Sequence, residues 1–262
     1  MTKAVLALSI VGSFFVSGAY AQPDPKCIDA VSNRGAKLIA GINKAANACE
    51  KKKETGAYPS NFICRSNFVV PHQLHAPKFV NGVEAARARF TKALVRGCAT
   101  PTSVSQSAFD MPCGQLEGVG NTEDLARCVI FDAHGRTAIR LQNMTNVSTV
   151  TPTPNPCRDG LSRYSTRFTH DTLQAYRRCG KAVVAGDECD TDLLAEELAE
   201  VRAINETRIA ESCQDAASIP LSGVCFGTYT DIALATQCLL DFALDEVLSL
   251  VKMTYDLPFI PE

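Results

Sequence analysis

The chain has 262 residues, a formal net charge of −2, twelve cysteines and no tryptophan. So balanced a charge gives no electrostatic footing for nucleic-acid binding. Twelve is an even number and no C-x-x-C pair occurs, which points to disulfides in an exported chain rather than to a thiolate metal site.

Residues 1–21 read as a cleavable secretory signal. Lys3 supplies the positive start, residues 4–16 form a short apolar run, and Ala19-Tyr20-Ala21 fits the small-x-small cleavage rule. The run is too short to span a bilayer comfortably, and no later stretch reaches 18 apolar residues. The expectation is therefore a mature chain from Gln22, secreted or periplasmic, with no transmembrane segment.

Residues 27–53 predict a long helix. Ile28, Val31, Gly35, Leu38, Ile42, Ala45 and Cys49 recur at steps of three and four, one face of an amphipathic helix. Three lysines near its end suit the negative pole of the helix dipole, and Gly56 and Pro59 stop it. The stretch 65–81 carries Phe68, Val69, Val70, His72, His75 and Phe79 and predicts a long interaction loop. His72 and His75 have the spacing of half a metal site, but no free Asp, Glu or Cys nearby completes it, so neither metal nor cofactor is expected. A second helix is predicted over 83–98 and a third from about Asn121. His134 and His170 are isolated and read as surface residues.

Residues 145–156 hold three prolines and no charge, which reads as an extended linker. Beyond it the pattern repeats. Cys27, Cys49, Cys64, Cys98, Cys113 and Cys128 are followed by Cys157, Cys179, Cys189, Cys213, Cys225 and Cys238. The first interval is 22 residues in both sets, and the order long, short, long, short, short is kept. An offset of 130 places Cys27 on Cys157, Asp29 on Asp159 and Cys49 on Cys179. Offsets of 115 and 110 place Cys98 on Cys213 and Cys128 on Cys238. Helices are accordingly predicted over 157–185, over 192–213 and from about Asp231. The acidic group Asp187, Glu188, Asp190 and Asp192 lacks the ligand order of a calcium loop and reads as a helix start.

Three antiparallel helices per unit put the cysteines at two ends of a small bundle. Cys27 and Cys49 are too far apart along one helix to bond to each other. The simplest pairing is Cys49–Cys64, Cys98–Cys113 and Cys27–Cys128, with Cys179–Cys189, Cys213–Cys225 and Cys157–Cys238 in the second unit.

The cysteine spacing, with endings such as LARCVIFDA and ATQCLLDFALDEVLSLV, resembles a six-cysteine α-helical repeat of secreted bacterial proteins. The resemblance covers nearly the whole mature chain. It implies an all-α fold and export, and it carries no activity and no site residue. The ten extra residues after Cys64 are not shared by the second copy.

The fold expected is all-α: a signal peptide over 1–21, helical units over 22–144 and 157–262, and a linker over 145–156. No G-x-S-x-G, H-E-x-x-H or P-loop is present, so no catalytic residue is assigned. The function expected is an exported binding or structural module without catalysis, acting on a protein or surface partner and not on nucleic acid. The alternatives are a carrier of lipid or a small apolar ligand, and a hydrolase assembled from scattered residues.

Overall fold

A computed structural model describes residues 24–64, 76–99, 113, 121–145, 155–214, 221–222, 224–226, 228–229, 231–255 and 257. It is all-helical apart from a two-residue antiparallel bridge. The helices are α1 (Pro25–Glu54), α2 (Pro77–Gly97), α3 (Thr122–Phe131), α4 (His134–Met144), α5 (Pro156–Ala185), α6 (Thr191–Ser212) and α7 (Ile232–Thr254). Strands β1 (Leu221–Ser222) and β2 (Thr228–Tyr229) flank a 3₁₀ turn at Val224–Phe226.

The helix starts follow from capping chemistry. Asp24, Asn121, Asn155, Asp190 and Asp231 each accept a backbone N–H from the first turn that follows. Proline opens α1, α2 and α5, where its missing N–H costs nothing. At the other ends, Gly56 (φ 72°) and Gly186 (φ 85°) take the left-handed conformation just beyond α1 and α5.

Two helix boundaries differ from expectation. α2 begins at Pro77, six residues before the predicted 83. The third helix of the first half breaks between Phe131 and His134, whereas α7 runs unbroken for 23 residues. The linker also shrinks: Thr145 is the buried C-cap of α4, Asn155 the buried N-cap of α5 and Pro156 its first residue. Residues 146–154 of that stretch lie outside the described residues.

α1 and α5, each 30 residues long, lie antiparallel at the centre and carry the core. α1 buries its apolar stripe (Val31, Leu38, Ile42, Cys49) and, on a second side, Ser32, Ala36, Ile39 and Asn43. It packs against α2 and also against α4 and α5. The second side is polar because it meets α5. Asn43 Nδ2 donates to Thr166 Oγ1 at 3.0 Å, and Gln142 of α4 donates to Asn43 Oδ1 at 3.0 Å. Ser162 donates to Asn47 Oδ1 at 2.6 Å, and Arg158 meets Glu54 at 2.6 Å with both side chains nearly enclosed. These polar groups of the seam thus find partners, which is the condition for burying them at little cost.

All twelve cysteines are bonded, in six pairs. Cys49–Cys64 and Cys179–Cys189 form as the spacing predicts. The other four expected bonds do not form. The structure has Cys27–Cys98 and Cys113–Cys128 in place of Cys98–Cys113 and Cys27–Cys128. It has Cys157–Cys213 and Cys225–Cys238 in place of Cys213–Cys225 and Cys157–Cys238. The reason is helix packing. α2 crosses the start of α1 where Gly97 lies on Ala30, and α6 crosses the start of α5 where Gly160 lies on Ser212. These small residues let the backbones approach, and the neighbouring cysteines come to Cα separations of 4.5 and 4.3 Å, within bonding range. No described helix is long and apolar enough to cross a membrane.

Candidate functional site

The residues singled out from sequence do not converge. Phe68, Val69, Val70, His72 and His75 lie outside the described residues. Phe79 is described and is no loop residue: it sits in the first turn of α2 with its side chain buried in the core. The burial of Phe79, Val83, Ala86, Phe90 and Leu94 at steps of three and four explains why. Pro77, as a favoured first helical residue, was the signal that could have found this start. The acidic group near Cys189 serves the start of α6: Asp190 Oδ1 accepts the N–H of Leu193 at 2.9 Å, and Asp192 lies in the first turn. Among the described residues no cluster of three or more His, Cys, Asp or Glu could hold a metal ion.

His134 is not on the surface. It opens α4, is fully buried, and its ring lies against α1 so closely that a Cβ at Gly35 would clash with two of its ring atoms, Cδ2 and Nε2. Burial lowers its pKa to about 3, so the ring is neutral at physiological pH. Neither ring nitrogen has a partner among the described residues. A group so enclosed meets no substrate. His170 is half-buried and lies 3.0 Å from Asp171, its neighbour on α5.

An open groove of about 750 Å³ runs between α6 and α7, and sequence reading did not find it. α6 is tethered near its start by Cys179–Cys189 and at its end by Cys157–Cys213. Between these points only Leu194, Asn205 and Ile209 are fully buried, while Leu198 and Val201 pack partly buried against the core. Arg202 lies in the groove between two carboxylates. Its Nε donates to Glu206 Oε1 at 2.8 Å and its Nη1 meets Asp241 Oδ1 at 2.7 Å across the gap. Partial burial pulls the Arg202 pKa down, but Asp241 and Glu206 together outweigh it and hold it above its ordinary value. Thr207, Ala210, Ile232, Thr236 and Gln237 complete the walls. Leu234 (56% exposed) and Ile204 (40% exposed) flank it, one turn from Gln237 and Thr207 respectively. The site thus offers a fixed cation, two fixed anions and exposed apolar rims.

No family model, curated protein or solved structure matches the chain.

Proposed function

We propose that this is an exported, non-catalytic binding module that presents the α6–α7 groove to a polypeptide. The observation that carries the reading is the Glu206–Arg202–Asp241 triad held across an open groove with exposed apolar rims. One guanidinium and two carboxylates leave a local excess of one negative charge. Leu234 and Ile204 offer apolar contact beside it. The matching occupant is a segment carrying apolar and basic side chains. The twelve bonded cysteines support an oxidising compartment, since such bonds persist outside the cytosol. The carrier reading has less support, because this groove is open and mixed in polarity rather than enclosed and apolar.

The test is photocrosslinking from a reactive residue at position 207 of the mature chain, exposed to the extracellular or periplasmic fraction of the source cells. The expected result is a defined polypeptide adduct that Asp241→Arg abolishes. A probe at Lys37, exposed on α1 and far along the chain from the groove, gives no such adduct. Equal labelling from both positions overturns the reading, and a lipid adduct from position 207 replaces it with the carrier.

A further inference from the structure

The contacts between α1 and α5 come in exchanged pairs. Lys181 Nζ lies 2.9 Å from Asp29 Oδ1, and Lys51 Nζ lies 2.5 Å from Asp159 Oδ2. Under the offset of 130, Lys51 corresponds to Lys181 and Asp29 to Asp159. The same contact is thus made twice with the roles reversed, which is the signature of an isologous, twofold interface. Ser32 and Ser162, equivalent under that offset, are both buried. The two close helix crossings obey it as well. Ala30 against Gly97 answers to Gly160 against Ser212, with the glycine on opposite partners. The span from Thr122 to Met144 maps on Ile232 to Thr254 under the offset of 110. Each of α4 and α7 also touches the long central helix of the other half.

We infer that the protein is an internal dimer. Two copies of one helical unit associate through the α1 and α5 faces about a pseudo-twofold axis, and the partner this surface fits is the complementary copy of the same unit. All six disulfides lie within residues 27–128 or within residues 157–238, so the association is non-covalent apart from the connecting chain.

Several contacts depart from the symmetry, among them Asn43–Thr166, whose counterparts are Leu173 and Ala36, and one of them sets the specificity. Arg158 and Glu54 form a buried ion pair at 2.6 Å, their side chains only 5% and 7% exposed. The offset of 130 maps Glu54 on Val184 and Arg158 on Ile28. The twofold-related place is therefore occupied by apolar residues, and both Ile28 and Val184 pack into the core. Pairing the first unit with itself would set Glu54 against Ile28 at both ends. Pairing the second with itself would set Arg158 against Val184 at both ends. Each like pairing buries these charges without the Arg158–Glu54 pair, Arg158 keeping only the more distant Asp159 at 3.4 Å, whereas the unlike pairing joins them at 2.6 Å. Glu54 and Arg158 thus direct each unit to its complement and away from its own copies in other chains.

The test uses the full mature chain with a protease recognition sequence inserted between residues 149 and 153, purified oxidised and then cut. The two fragments are expected to co-elute at the size of the uncut protein. Their separation on cutting overturns the inference. In the cut protein, Glu54→Ala or Arg158→Ala is expected to weaken association by roughly 100-fold or more, since each breaks the buried ion pair between the units. The charge-reversed double variant, Glu54→Arg with Arg158→Glu, recovers most of that loss even where a single variant disturbs folding. Glu200→Ala, an exposed control, leaves association unchanged. If the two single variants behave like the control, or the double variant recovers nothing, the assignment of specificity is wrong.

Discussion

His134 shows how one side chain can set the acid limit of a whole fold. Its ring is sealed against Gly35 and is neutral, with a pKa of about 3 against an ordinary value of 6.5. The unfolded chain takes up a proton as pH falls through about 6.5, and the folded chain does not until about 3. The folded state is therefore most favoured above 6.5 and loses stability steadily below it. By pH 4.5 the loss is on the order of 2–3 kcal/mol. Asp29 acts in a separate window. Burial raises its pKa, but Arg177 and Lys181 outweigh that and hold it below the ordinary carboxylate value of 3.8, so its contribution is lost only at lower pH. Urea midpoints followed by circular dichroism between pH 7 and 4.5 should thus fall for the native protein and stay nearly level for His134→Leu. Equal slopes for the two proteins would remove His134 as the cause. Sequence alone placed this histidine on a helix and left it outside, because nothing in its immediate neighbours announces burial. The deciding residue is Gly35, 99 positions away, whose missing side chain makes the room.

At the scale of elements, the seven described helices divide by how they are held. α2 buries a regular stripe from Phe79 to Leu94, whereas α6, 22 residues long, buries only Leu194, Asn205 and Ile209. It is also held by the partly buried Leu198 and Val201 and by cysteines at or just beyond its ends, Cys189 bonded to Cys179 and Cys213 bonded to Cys157. Elements with few buried apolar contacts open locally at low free energy. Amide hydrogen exchange should therefore be faster across the middle of α6 than across α1 and α5. Replacing both Cys157 and Cys213 by alanine should raise the α6 rates by about tenfold or more, since a bond closing a loop of this length contributes a few kcal/mol. Rates that stay uniform across α1, α5 and α6 would contradict this division. The element starts were readable because capping is local: Asp190 and Asp231 announce α6 and α7 from one residue upstream. Disulfide partners were not readable, because they are chosen by the crossing of two helices. Cys27, Cys98, Cys113 and Cys128 are compatible in sequence with several pairings, and the Ala30–Gly97 contact selects among them. The polar side of α1 was missed for a related reason. Ser32 and Asn43 look like surface residues until Thr166 and Gln142 are brought to meet them.

For the whole molecule, the question is whether two separate disulfide sets make two separately melting bodies. A freely jointed pair of units would unfold in two steps, the weaker first. The contacts between residues 24–145 and 155–257 argue otherwise. Asn43, Asn47, Glu54 and Gln142 spend their hydrogen-bonding groups on, or beside, the α1–α5 seam. Thr137 and Arg140 of α4 reach Glu246 of α7 at 2.9 and 2.5 Å, and the Arg140 guanidinium also stacks 5.1 Å from the Phe242 ring centre. Unfolding either half alone would expose the buried polar side of the other and break the buried Arg158–Glu54 pair. That coupling exceeds what a linker transmits, so the oxidised protein should melt in one calorimetric transition with van't Hoff and calorimetric enthalpies in agreement. Removing Cys27–Cys98, which closes a separation of 71 residues, should cost about 4 kcal/mol, against about 3 kcal/mol for the 10-residue Cys179–Cys189 bond. Either change should move the single transition as a whole, although each bond lies in only one half. A second, unshifted transition in the Cys27→Ala, Cys98→Ala protein would mean that the halves stand independently and that the seam between α1 and α5 carries little of the stability.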